Sequence, residues 1–217
     1  MHERDADAGV VPLEEALIVN DPAERRRLML SMLTEEPDAY LAQLQAAKLN
    51  DDVEVAHYAA TAVAQISKES DLKLQQLERA FKTDPSAQNL NEYCDFLGEY
   101  LGSGLAEGRV AQIQRQQYAR LLARRCERED ALELRIRYAT ALADVGQIDE
   151  AQAVIDQLVL DVPEEQEVWM LCLRLAVMRC DGDEVHRVID AIDKQHVYLS
   201  AANREELAFW RNGEEAR

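Results

Sequence analysis

Apolar residues recur along this chain at helical spacing. Leu90, Tyr93, Cys94, Leu97 and Leu101 fall at i, i+3, i+4, i+7 and i+11. Leu134, Tyr138, Ala141, Leu142 and Val145 follow nearly the same course, as do Trp169, Cys172, Ala176 and Cys180, then Val185, Val188, Ile189 and Ile192. One apolar stripe per segment predicts amphipathic helices, and no segment alternates with the period of two that a strand requires. Asp21-Pro22, Glu36-Pro37 and Asp84-Pro85 each place an acidic residue before a proline suited to the first helical position. Asn50-Asp51-Asp52, Gly146-Gln147, Asp161-Val162-Pro163 and Asp181-Gly182-Asp183 read as further turns. The pattern predicts helices over about 22–34, 37–49, 53–67, 71–82, 86–102, 109–127, 130–145, 148–160, 164–180, 183–195 and 200–211. Loops this short join antiparallel neighbours.

A repeat lies within the pattern. Tyr138, Ala139, Leu142, Gly146, Ala151, Ile155, Leu158 and Pro163 are spaced as in the tetratricopeptide (TPR) pattern, which they resemble. A step of 34 residues places Trp169 where that pattern reserves a Trp, and Cys172, Leu173, Ala176, Val185, Ile189 and Ile192 at other core positions. Pro85 closes an earlier unit whose stripe includes Ala60, Ala64, Leu77 and Ala80. Pro85 and Pro163 lie 78 residues apart, ten more than two repeats, and the surplus falls at 98–112 among Gly98, Gly102, Gly104 and Gly108. Small residues let the two helices of a hairpin approach, large ones fill the groove of the next hairpin, and neighbours must stack to bury both. The expected fold is all-α, a TPR-like α-solenoid of stacked antiparallel helix hairpins, with an ordinary helical bundle as the competing architecture. The expected organisation is a disordered leader (1–11), an N-terminal helical hairpin (12–52), TPR-like repeats (53–199) with a longer second unit at about 88–131, and a C-terminal capping helix and tail (200–217).

Composition narrows the function classes. The 217 residues are 47% apolar, enough for a core, and carry only five Pro and eight Gly. Forty-two acidic against 24 basic residues give a formal charge of −18, which repels phosphate backbones, so no nucleic-acid partner is expected. Cys94, Cys126, Cys172 and Cys180 form no CxxC pair and sit in apolar helical patterns, the usage of a reducing compartment. The charged start MHERDADAG is no secretory signal, and no apolar run is long enough to span a bilayer.

Searching for chemistry finds little. GxxxxGK[ST], GxGxxG after a strand, HExxH and GxSxG are absent from the sequence. His57 falls at a position normally filled by a large core residue and reads as a packed histidine, while His186 and His196 are wrongly spaced for a shared metal. Acidic pairs such as Glu164-Glu165 read as helix-start charges and solvated faces. One segment departs from the background: 109–128 holds six arginines, Arg109, Arg115, Arg120, Arg124, Arg125 and Arg128, against Glu127 alone. That is a local charge of +5, leaving −23 for the rest. This basic helix either pairs internally or docks an acidic partner or an anionic lipid. In a TPR hairpin the first helix lines the inner groove. That alignment places Tyr58, Ala62 and Gln65, then Ile136, Thr140 and Asp144 with Arg137 beside them, then Met170, Arg174 and Val177, along the groove. Two arginines are too few for a clamp on a C-terminal carboxylate, and the mixed lining suits an extended peptide or a partner helix. No catalytic, cofactor or metal residue is assigned. The function expected is that of a non-enzymatic protein-interaction scaffold; the alternative is a TPR-type regulatory sensor binding a peptide or small ligand.

Three segments carry a further likeness. VVPLEEALIVNDPAERRRLML (10–30), LNDDVEVAHYAATAVAQ (49–65) and DLKLQQLERAF (71–81), together with the repeats, resemble the cytoplasmic region of the PelE family of the bacterial Pel exopolysaccharide machinery. The resemblance implies a non-enzymatic assembly subunit, cytoplasmic at the inner membrane through partners or a missing N-terminal anchor. The implied partners are the cyclic-di-GMP receptor PelD, the glycosyltransferase PelF and the transporter-like PelG. PelE proteins carry transmembrane helices ahead of this region and this sequence has none, so it reads as a soluble excerpt or a soluble relative.

Overall fold

The computed structural model describes residues 41–212. Every regular element among them is α-helical, and they divide into two compact units between Leu105 and Ala106. The expected leader, the helix at 22–34 and the part of the N-terminal hairpin before residue 41 lie outside the described residues, as does the tail after residue 212.

The first unit contains α1 (Leu41–Ala47), α2 (Val53–Thr83) and α3 (Ala87–Gly102). The Asp52 carboxylate caps α2 by accepting from the backbone N–H groups of Glu54 and Val55 at 2.9 and 3.4 Å, a contact worth about 1 kcal/mol. Pro85 follows the last residues of α2, and the Ser86 hydroxyl caps α3 by accepting from Asn89 N–H. Leu44 and Ala47 of α1 pack with Val55, Ala59, Ala62 and Ile66 of α2. Farther along α2, Leu74 and Phe81 are buried, and the Phe81 ring lies 6.2 Å from that of Tyr93 on α3.

This unit corrects three expectations. Helices 53–67 and 71–82 are one continuous helix of 31 residues. Ser67-Lys68-Glu69-Ser70 is polar but contains neither Gly nor Pro, and the Gln65 side-chain amide donates to Glu69 one turn on, so nothing stops propagation. The buried stripe is Val55, Ala59, Ala62, Ile66, Leu74 and Phe81, whereas Ala60, Ala64 and Ala80 are exposed. Ala62 therefore faces the core and not a groove. His57 is likewise exposed rather than packed.

The second unit contains α4 (Gly108–Cys126), α5 (Leu132–Asp144), α6 (Ile148–Asp161), α7 (Gln166–Met178), α8 (Gly182–Gln195) and α9 (Ala201–Asn212). Each packs on its neighbour in sequence, and α5 also packs on α7. With connections of a few residues this makes the unit a TPR-like α-solenoid of antiparallel hairpins. The 34-residue step is visible in burial: Leu134 and Val168, Ala139 and Leu173, Leu142 and Ala176, Ala151 and Val185, Ile155 and Ile189, and Leu158 and Ile192 are all buried. The Trp169 indole N–H donates to the Pro163 carbonyl at 2.7 Å, joining the two residues that mark the register in the sequence. α9 closes the stack. It buries Leu207 with Ile192 and Leu199, and Gln166 Oε1 at the start of α7 accepts from Ser200 N–H and the Asn203 amide at 2.8 and 3.0 Å. The long second unit expected at about 88–131 takes α3 from the first compact unit and α4 from the second.

Candidate functional site

The expected groove positions of the second unit lie on α5 and α7, the two first-of-hairpin helices that pack side by side. Ile136, Arg137 and Thr140 on α5, and Met170 on α7, are half-buried, and Arg174 is exposed. These five residues therefore line one partly open face. The Arg174 guanidinium crosses from α7 to the Asp144 carboxylate of α5 at 2.5 Å, spanning adjacent repeats. Arg137 turns toward α4, where its Nη2 and Nε lie 2.8 and 3.1 Å from the Tyr118 hydroxyl oxygen. The Thr140 hydroxyl donates to the Ile136 carbonyl of its own helix at 2.8 Å, so its methyl group is the part left to a ligand. Met170, Val177 and Ile136 supply the apolar portion. Tyr58 and Gln65 belong to α2 in the first unit: Tyr58 is half-buried against that unit's core, and Gln65 is exposed and bonded to Glu69.

The basic helix is α4. Ala111, Ala119, Leu121 and Leu122 hold it to the fold. Arg109, Arg115, Arg120 and Arg124 are exposed and Arg125 is half-buried, while Arg128 lies just beyond the helix end. Arg124, Arg125 and Arg128 each have interaction partners. Arg135 on α5, one repeat before Trp169, holds Asp161 at 2.7 Å. Hydrogen bonds from Arg135 and Gln157 keep the Asp161 carboxyl below its ordinary range. Sequence reasoning passed over this pair because it expected a large apolar residue at the Trp position.

The titratable groups show no arrangement poised for catalysis. The Cys172 thiol is pushed up to about 12, first by burial and then by the Asp156 and Glu184 carboxylates, which suppresses the nucleophilic thiolate. It lines an open cleft of about 350 Å³ with Asp156, Leu160, Trp169 and Glu184. No group of three or more His, Cys, Asp or Glu side chains suited to a metal occurs among the described residues. No helix among them is long and apolar enough to cross a membrane. Sequence reasoning also missed two residues. Tyr118, which fixes Arg137, lies far off in sequence and only the fold brings it near; Phe209 on α9 is 67% exposed, on a helix read only as a cap.

Comparison with known families agrees with this architecture. Residues 105–175, spanning α4 to most of α7, match the tetratricopeptide repeat family model. The chain is thus a TPR-containing protein, of a fold that generally mediates protein–protein interaction and is typically non-enzymatic. No curated protein matches the chain.

Proposed function

We propose that this protein is a non-enzymatic scaffold that holds a partner segment along the α5–α7 face and assembles the inner-membrane Pel polysaccharide synthase and transport complex. The carrying observation is that face: half-buried Ile136 and Met170 beside Arg137 and Arg174, on adjacent helices tied by the Arg174–Asp144 pair. A partly desolvated apolar strip with fixed polar edges is suited to burying an extended peptide or helix. Such a role requires no cofactor. The Pel assignment rests on the resemblance of 49–65 and 71–81, as well as 10–30, to PelE. It makes PelD, PelF and PelG the partners and the cytoplasmic side of the inner membrane the location. Tyr58 and Gln65 are a separate contact on the first unit.

The test is retention of purified PelD, PelF or PelG by the intact chain, measured by calorimetry. At least one is expected to bind, with Met170→Glu combined with Arg174→Glu weakening it by about tenfold or more while helix content is kept. Failure of all three to bind overturns the Pel reading. A partner that binds equally to the double variant overturns the assignment of the face.

A further inference from the structure

α4 carries a second surface. Arg109, Ile113, Gln116 and Arg120 fall at i, i+4, i+7 and i+11, one face of a helix, and all four are exposed. Ile113 is 56% exposed, as is neighbouring Val110. The opposite side bears buried Ala111, Ala119 and Leu122, so the stripe is not the side that holds α4 in the fold. Arg109 and Arg120 make no ion pair among the described residues, although the sequence has 42 acidic side chains. The two cations stand about 16 Å apart along the axis, with the isoleucine between them.

We infer that this stripe docks an acidic amphipathic helix of another protein, with carboxylates facing Arg120 and Arg109 and an aliphatic side chain over Ile113. The inference rests on the scaffold reading and adds to it a second surface and a partner chemistry. Charge complementarity selects the occupant. The chain is −18 overall, so acidic proteins are repelled everywhere except at the segment whose local charge is +5. Helix geometry selects its form, since a straight ridge of residues one turn apart packs into the groove of a second helix. An antiparallel partner with Glu at i, Leu at i+7 and Glu at i+11 meets Arg120, Ile113 and Arg109 in turn. A bilayer surface fits less well: the helix offers two aliphatic side chains and no aromatic on its exposed side, and the remaining −23 opposes anionic lipid.

The probe is a synthetic helical peptide with that Glu/Leu/Glu pattern, titrated into the intact chain by fluorescence anisotropy. Its controls are a peptide of the same composition with those residues off one face, and vesicles of anionic phospholipid. The patterned peptide is expected to bind about tenfold or more tightly than the scrambled one, and to weaken with salt. Arg109→Glu with Arg120→Glu, and separately Ile113→Ser, are expected to abolish that preference. Arg109→Lys with Arg120→Lys is expected to keep most of it. The scrambled peptide binding equally, the preference surviving both variants, or vesicles binding through these residues while the peptide does not, overturns the inference. Met170→Glu leaves peptide binding unchanged, so failure here and failure of the α5–α7 face are read separately.

Discussion

At the scale of single residues, the repeat is written in backbone geometry. Gly146 closes the α5–α6 turn at φ 77°, with Gln147 N–H donating to the Leu142 carbonyl at 2.9 Å. Thirty-four residues on, Cys180 takes the same left-handed conformation at φ 54°, and Asp181 N–H donates to the Ala176 carbonyl at 3.0 Å. A side chain is strained there, whereas Gly is not. Cys180→Gly is therefore expected to stabilise the protein by about 1 kcal/mol, and Gly146→Ala to cost about as much. Urea denaturation measures both, and a destabilised Cys180→Gly would contradict the assignment. In the first unit the Tyr100 hydroxyl donates to Asp71 at 2.8 Å, and burial, then that bond, raises the phenol to about 12. The folded state favours the neutral phenol, so its contribution is whole below pH 10 and lost as pH rises toward 12. Tyr100→Phe is expected to cost about 1 kcal/mol at neutral pH and to shrink the loss of stability between pH 10 and 12. Tyr138, raised mainly by burial, keeps part of that loss. Gly146 was legible as a turn in the sequence. Cys180 was not, because its i+4 spacing from Ala176 made it look like the last residue of the α7 stripe.

At the scale of elements, α4 to α9 end within two residues of their expected bounds because capping residues, Gly146 and Pro163 punctuate them. α2 was legible as helix but not as one helix, since polar side chains at 67–70 read as a loop although they propagate a helix well. Its phase was also hidden. Ala56, Ala59, Ala60, Ala62 and Ala64 put small apolar groups on every side, so periodicity could not choose between the stripe of Ala59 and that of Ala60. That ambiguity also placed His57 in the core. Lys68→Pro is a direct check, because a proline inside a continuous helix costs about 3 kcal/mol, whereas a turn would tolerate it. A melting temperature unchanged in that variant would contradict the single helix.

At the scale of the whole molecule, the two compact units differ in how far sequence reached them. The second was legible because two adjacent repeats share one register, confirmed by six buried pairs 34 residues apart. The first has no such internal copy, and its expected repeat did not fix a register. The α5–α7 face was legible as positions on two helices, but its ties were not: Arg174 to Asp144 and Arg137 to Tyr118 are made by packing. The central claim is that the second unit is a stacked-hairpin surface for gripping a protein segment. Amide hydrogen exchange of the intact chain, with and without purified PelD, PelF and PelG in turn, tests it most directly. The account expects at least one partner to slow exchange at 136–144 and 170–178. Unchanged exchange across both stretches with all three would contradict it.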